Sequence, residues 1–144
     1  MMNRHTLIQT DYNAENHMYQ VLIGTDIGTF WGCSVCREED YQFESEYFGY
    51  ELAEIQAEIA YARAKRNYWD ARLKALTDFW KKMSDTRTYS VDAFWVKKMR
   101  KEVDDAHNKR NMWKSRIDGL KEAYHARIVD RDASNKRLKA KGLI

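Results

Sequence analysis

The sequence predicts an α+β protein in which a small antiparallel β-hairpin sheet precedes a long antiparallel hairpin of two coiled-coil helices. Three observations predict this fold: alternating apolar residues near the amino terminus, two later apolar stripes with heptad spacing, and the absence of proline from all 144 residues. Because proline interrupts helices, its absence permits long ones. We expect a β-strand region over residues 1–45 and a helical hairpin over residues 46–144, together forming one folding unit.

The strand region is indicated by period-two alternation. Residues 19–23 place three apolar side chains on one face of a strand, and residues 26–28 supply a turn. A second strand follows over residues 30–35, and residues 6–9 are expected to add an edge strand. Because two strands alone are marginally stable in water, the sheet must pack on the helices or on another protomer.

The helical hairpin is indicated by apolar residues at alternating steps of three and four. We predict helix one over residues 46–83, a turn over residues 84–91 and helix two over residues 92–140, with Ser90 or Asp92 as the N-cap. When the chain reverses in this turn, the two stripes match layer for layer. The first stripe is Leu52, Ile55, Ile59, Ala62, Arg66, Trp69, Leu73, Leu76, Trp80 and Met83, and the second is Val96, Met99, Val103, Ala106, Arg110, Trp113, Ile117, Leu120 and Tyr124.

One layer of this seam is charged in both helices, with Arg66 opposite Arg110. Two guanidinium groups at one level destabilise a coiled coil unless anions or water meet them. Two interpretations are open: each arginine reaches out to a carboxylate such as Asp70, or the layer binds phosphates while aromatic rings stack on bases. The neighbouring basic and aromatic residues are Arg63, Lys109, Lys114, Tyr68, Trp69 and Trp113.

The turn between the helices is a second candidate site. Arg87 and Tyr89 precede the amino terminus of helix two, where free backbone N–H groups attract anions. Phe79 belongs to a group of aromatic residues expected at the same end of the hairpin. A nucleotide-like ligand would suit this combination, and a capped turn over a packed aromatic end is the alternative.

Catalytic and metal-binding signatures are not evident in the sequence. It contains no glycine-rich phosphate loop, paired-carboxylate signature or recognisable nucleophile and base, so we predict a protein that is not an enzyme and that needs no cofactor. The four histidines lack metal-ligand spacing, and no metal site is predicted. Cys33 and Cys36 are expected to be buried, reduced thiols. No internal repeat or low-complexity segment is evident.

Charge is divided unevenly along the chain despite a net charge of +3. Residues 84–144 are mainly basic and residues 1–83 mainly acidic. A nucleic-acid-binding role for the basic half is one interpretation. We favour mutual neutralisation, in which acidic residues such as Glu51 and Glu54 lie beside basic residues such as Arg127.

A second apolar stripe on helix one suggests self-association. A two-helix hairpin cannot bury both stripes, so another copy of the chain is expected to cover the second one, which makes the protein a homo-oligomer. The chain has no apolar run of about 18 residues and no apolar signal-peptide core, so we expect a cytoplasmic protein without a membrane partner. The second stripe consists of Tyr61, Ala64, Tyr68, Ala71 and Ala75.

The pattern as a whole resembles the first-described family of phage Thoeris anti-defence sponges, which has a β-strand region followed by a long helical hairpin. The resemblance implies a non-enzymatic, oligomeric protein in an infected bacterial cell that sequesters an immune signal, a cyclic ADP-ribose isomer. The features that carry the resemblance are Phe30-Trp31-Gly32, Asp40, the helix start at residues 47–54, the short turn at residues 84–92 and basic residues deep in helix two.

The resemblance also implies roles for individual residues. Phe79, Arg87 and Tyr89 would hold the ADP-ribose ring, and Asp92 would bind its ribose hydroxyls. Arg110 and Lys114 would face a cyclic di- or trinucleotide at a second site. A structural coiled-coil adaptor and a basic nucleic-acid-binding protein are the alternative functions.

Overall fold

The computed structural model describes residues 5–35, 42–86 and 93–142, and the side chains of residues 42–47, 84–86, 93–95, 135 and 138 lie outside its description. The fold class is the predicted one: a three-stranded antiparallel sheet precedes two long helices. The elements are β1 (Thr6–Asn13), β2 (Met18–Thr25), β3 (Gly28–Val35), α1 (Gln42–Thr86) and α2 (Ala93–Ala140).

The sheet is a meander with the order β1-β2-β3. The predicted turn at residues 26–28 is confirmed: Thr25 pairs with Gly28, whose φ of 134° is a conformation that glycine adopts more readily than other residues. The Thr25 hydroxyl donates a hydrogen bond of 2.7 Å to the Gly28 carbonyl. The expected edge strand is also present and longer than predicted, and its register shifts between Leu7 and Gln9.

One face of the sheet packs on α1. Tyr19, Val21 and Ile23 are buried on this face, as their alternation predicts. On β3 the helix lies so close to Gly32 that a Cβ atom there would overlap backbone atoms of Ala53 and Ala57. The sheet therefore gains its stability from its own helix, the first of the two alternatives considered above.

One prediction about β3, the burial of Cys33, is wrong. Cys33 is exposed, contrary to the prediction of a buried thiol, because successive strand residues alternate and the neighbours Gly32 and Ser34 face α1. Ser34 donates a hydrogen bond of 2.8 Å to the Gly49 carbonyl of α1. Cys36, the second cysteine of the pair, lies outside the described residues.

The contacts divide the chain into two compact units, each containing part of both helices. Unit 1 comprises the described residues up to Tyr61 and from Ile117 onward, and unit 2 comprises Ala62–Arg116. The sequence pattern predicts a single folding unit. In unit 1, Leu52 of α1 and Tyr19 of β2 form a core cluster against Tyr124 and Ile128 of α2.

Both helices begin and end close to the predicted residues. α1 runs from Gln42 to Thr86, four residues earlier and three residues later than residues 46–83. No glycine or proline interrupts those added residues, which permits the longer helix. α2 ends at Ala140, as predicted. None of the described helices is long and apolar enough to cross a membrane.

Two expectations about surface residues have specific outcomes in unit 1. The Arg127 guanidinium lies 2.7 Å from a Glu51 carboxylate oxygen, an instance of the expected neutralisation between the acidic and basic halves.

Tyr61, assigned to the stripe that a second copy would cover, is instead buried in its own chain. Its ring contacts Phe30 at a centroid distance of 5.7 Å, and its hydroxyl donates a hydrogen bond of 2.6 Å to Asp26.

Candidate functional site

A basic cavity lies between α1 and α2 in unit 2 and is called here the arginine pocket. It has a volume of about 340 Å³ and is lined by Arg66, Asp70, Arg110 and Lys114. Three cations and one carboxylate give this lining an excess of positive charge. A cavity of this size is within the range that binds small molecules.

Helix periodicity explains how the pocket is built. Arg66 and Asp70 are one turn apart on α1, and Arg110 and Lys114 are one turn apart on α2. Residues four apart share one helix face, so each helix contributes a pair of side chains to the same cavity. The structure therefore brings three predicted site residues to one pocket, the two seam arginines and Lys114.

The arginines are only loosely engaged by the protein groups around them. Arg110 Nε lies 3.6 Å from Asp70 Oδ1, and the Asp70 side chain is 48% exposed. Ion pairs this exposed contribute little to stability. Arg66 donates a hydrogen bond of 3.2 Å to the Asn67 amide oxygen, and Arg110 donates one of 3.3 Å to that of Asn111. Both amide oxygens are neutral, so a phosphate would be a stronger acceptor than either of them.

The pocket is flanked by two matching lysine and tryptophan contacts. Lys109 Nζ of α2 lies 4.6 Å from the ring centroid of Trp69 on α1. Lys65 Nζ of α1 lies 5.8 Å from the ring centroid of Trp113 on α2. Both distances are within the range of cation–π attraction. Each helix thus places a lysine over the tryptophan of the other, beside the arginine pocket.

A short repeat in the sequence accounts for these two matching lysine–tryptophan contacts. Residues 65–69 read Lys-Arg-Asn-Tyr-Trp and residues 109–113 read Lys-Arg-Asn-Met-Trp. The repeat is easily overlooked in the sequence because it is only five residues long. It would also have identified Lys65, which the sequence analysis did not select. The residue that follows the repeat differs between the two copies: it is Asp70 on α1 and Lys114 on α2.

The predicted turn site is described only in part. Phe79 lies on α1 and its side chain is 47% exposed. Arg87, Tyr89 and Asp92, together with the N-cap candidate Ser90, lie outside the described residues. A smaller cavity of about 180 Å³ occupies unit 2, between the arginine pocket and the turn along the sequence. It is lined by Thr77, Trp80, Met99, Arg100, Val103 and Asp104.

Unit 1 contains a cluster of possible metal ligands that the sequence analysis missed. His5 Nε2 lies 2.8 Å from Glu54 Oε1, and His5 Nδ1 lies 3.4 Å from Glu58 Oε1. The prediction that the histidines form no metal site was based on their spacing along the chain. The fold places His5 beside two carboxylates about fifty residues away, which no spacing rule could indicate.

Comparisons of the chain with protein-family models, with curated proteins and with solved structures found no match. The class of protein is given by the fold and the pocket alone: it is an α+β protein with two long helices and a basic, aromatic-flanked cavity between them. Its function has to be argued from that cavity.

Proposed function

We propose that this protein binds a cyclic nucleotide immune signal and sequesters it, without cleaving it, in the cytoplasm of a phage-infected bacterium. The ligand class comprises cyclic ADP-ribose isomers and cyclic di- and trinucleotides. The observation that carries the proposal is the arginine pocket, in which Arg66 and Arg110 converge from two helices with Lys114 beside them. The resemblance described above supports the same class of ligand.

The chemistry of the pocket suits phosphates. A guanidinium group can donate two parallel hydrogen bonds to phosphate oxygens, and such charge-assisted bonds are stronger than the present contacts with Asn67 and Asn111. Cyclic ADP-ribose isomers and cyclic dinucleotides each carry two phosphate groups. Two arginines opposite each other can bind one phosphate each.

The flanking contacts support a ligand that also carries bases. Trp69 is partly exposed, and a base can stack on a tryptophan face that a lysine covers when no ligand is bound. Trp113 is only 5% exposed, so its role is to hold Lys65 near the pocket. The two lysines add positive charge at the rim and favour anionic ligands.

Binding without cleavage is the part of the proposal that the resemblance implies, and the pocket lining shows which groups would face the ligand. The four lining side chains supply cations and one carboxylate, and no hydroxyl, thiol or imidazole is among them. Asp70, the carboxylate, lies beside Arg110. Such a lining can hold a phosphodiester, and recovery of intact ligand tests whether it leaves the bond uncleaved.

The proposal is tested by recovery of intact ligand. Purified protein is incubated with cyclic ADP-ribose isomers and cyclic di- and trinucleotides, the protein is removed by filtration, and the flow-through is analysed by chromatography. The retained protein is then heated and the released material analysed in the same way. Depletion of one signal with intact recovery supports a sponge. A changed product would indicate an enzyme, and no depletion of any signal would refute the proposal.

Variants connect the binding to the arginine pocket. Arg66→Leu with Arg110→Leu should weaken binding at least 100-fold, since each lost charge-assisted hydrogen bond contributes about 1.5–3 kcal/mol. Arg72→Leu is the matched control, because Arg72 is exposed on the same helix and does not line the pocket.

A structural adaptor would instead gain thermal stability in the double variant with no loss of binding. A nucleic-acid-binding protein would bind mixed-sequence DNA or RNA with an affinity that falls steeply with salt.

A further inference from the structure

We propose that His5, Glu54 and Glu58 form a binding site for a transition-metal cation of the zinc class, which fastens the start of β1 to α1. This site lies in unit 1 and is independent of the arginine pocket in unit 2. One ligand atom from each of the three side chains lies within 4.8 Å of the other two.

The two carboxylates are held on a rigid part of α1. Glu54 and Glu58 are four residues apart and therefore project from one helix face. On the buried face of the same two turns, Ala53 and Ala57 are completely buried and the backbone of β3 at Gly32 lies against them. This packing fixes the helix backbone, so the Cα positions of Glu54 and Glu58 are set before any cation binds.

The spacing of the three side chains is close to that of a metal site. Zinc bonds to nitrogen and oxygen ligands are about 2.0–2.2 Å, so neighbouring ligands in a tetrahedral site are about 3.3–3.6 Å apart. His5 contacts Glu54 through Nε2 at 2.8 Å and Glu58 through Nδ1 at 3.4 Å, and only one of these ring nitrogens can bind a given cation. Rotation of the flexible glutamate side chains can bring both oxygens to one imidazole nitrogen. Three protein ligands would leave a fourth position for water.

The ligand set favours one class of cation. An imidazole nitrogen with two carboxylate oxygens suits zinc and the neighbouring divalent transition metals, whereas magnesium and calcium prefer sites made of oxygen alone. Two carboxylates one turn apart repel each other, and a divalent cation would neutralise both. The His5 and Glu58 side chains are only 17% and 20% exposed, which limits competition from water.

The position of the site indicates its effect. Every residue of β1 is exposed, and β1 pairs with β2 alone as the edge strand of the sheet. His5 immediately precedes β1. A cation shared by His5 and α1 would therefore hold the least buried strand in place. At a free cation concentration 100 times Kd, the equilibrium for opening this strand should shift about 100-fold toward the closed form.

The test uses the full chain, free of purification tags and stripped with chelator, carrying Cys33→Ser and Cys36→Ser so that no thiol competes. Co²⁺ is titrated as a spectroscopic probe, Zn²⁺ binding is measured by calorimetry, and hydrogen exchange of the β1 amides is followed with and without Zn²⁺. We expect one cation per chain, displacement of Co²⁺ by Zn²⁺ but not by Mg²⁺, and slower exchange in β1.

The variants His5→Ala and Glu58→Gln should each weaken Co²⁺ and Zn²⁺ binding at least 10-fold and abolish the effect on hydrogen exchange. The matched controls are His125→Ala and Glu122→Gln, an exposed histidine and glutamate of α2, which should bind as the parent does. Circular dichroism of each variant checks its folding. Absence of Zn²⁺ binding to the parent chain, or binding unchanged in both site variants, would overturn the proposal and leave the cluster a direct histidine–carboxylate contact.

Discussion

Two glycines show how the same residue type serves opposite needs in this protein. Gly32 lies in β3 against the backbone of α1, and a Cβ atom there would overlap the Ala53 carbonyl oxygen and the Ala57 amide nitrogen. Gly119 lies within α2, and a Cβ atom there would meet no described neighbour within 4 Å. Gly32 is required for the approach of helix and sheet, whereas Gly119 only lowers the helix propensity of α2.

Alanine substitution should therefore have opposite effects at these two positions. Gly32→Ala should lower the free energy of unfolding by about 1–3 kcal/mol, because backbone atoms cannot move aside as a flexible side chain can. Gly119→Ala should raise it by about 0.4–1 kcal/mol by restricting the unfolded chain and favouring the helix. Chemical denaturation of the two variants measures both effects. A Gly32→Ala protein as stable as the parent would contradict the close approach described here.

The arginine pocket offers a second prediction at the scale of single residues, which rests on the proposed function. Asp70 and Lys114 occupy the same position after each copy of the five-residue repeat. Asp70→Lys should tighten the binding of a cyclic dinucleotide and Lys114→Asp should weaken it, each by about 10-fold, because each adds or removes positive charge near the phosphates.

The exchange of both residues provides the control. Asp70→Lys combined with Lys114→Asp keeps the charge of the pocket and should restore an affinity within a few-fold of the parent in calorimetry. Loss of binding in the exchanged variant as severe as in Lys114→Asp alone would show that the two positions are not equivalent.

At the scale of elements, α1 is held to the sheet by polar contacts as well as by apolar packing. Ser34 of β3 bonds to the Gly49 carbonyl, and Tyr61 of α1 bonds to Asp26 in the β2–β3 turn. These two hydrogen bonds are 2.8 and 2.6 Å long and join elements that are distant in the sequence. They fix the helix along the length of β3, where hydrophobic contacts alone are not directional.

Removal of the Tyr61 hydroxyl should loosen this attachment. Tyr61→Phe keeps the ring contact with Phe30 and leaves the Asp26 carboxylate without this donor, which should cost about 1.5–3 kcal/mol of stability. Tyr68→Phe is the matched control on the same helix, because the Tyr68 side chain is 57% exposed, and its stability should stay within about 0.5 kcal/mol of the parent. Equal thermal shifts in the two variants would contradict the role given to the hydrogen bond.

At the scale of the whole molecule, exposed apolar side chains remain for a partner to cover. Tyr68 is 57% exposed, and Ala71 and Ala75 on the same predicted stripe are also exposed. Tyr61 no longer belongs to this set, since the sheet buries it. The stripe that a second copy would cover is therefore shorter than the sequence indicated and is confined to α1 beyond residue 63.

Self-association through this shorter stripe is a testable proposal. Size-exclusion chromatography with light scattering should give a mass of at least two chains for the parent protein. Tyr68→Asp should lower the mass, since a charge would be buried in the contact. Val129→Asp, a change at an exposed apolar residue of α2 outside the stripe, should leave the mass unchanged. A monomeric parent protein would refute the proposal.

The sequence by itself determined the order of the elements and the pairing of the helices. Alternation predicted β2 and β3, and heptad spacing with no proline predicted two long helices and placed Arg66 level with Arg110. These features depend on local periodicity, which is visible in a linear sequence. The two arginines of the arginine pocket were predictable for the same reason, although the short repeat that includes Lys65 was overlooked.

Only the tertiary structure decided which groups far apart in the sequence come together. It turned Cys33 away from α1, buried Tyr61 under the sheet, and placed His5 beside Glu54 and Glu58. The physical reason is that periodicity shows which residues share a face of one element, but not which element packs on that face. That choice depends on close packing between elements, here made possible by Gly32 against the backbone of α1.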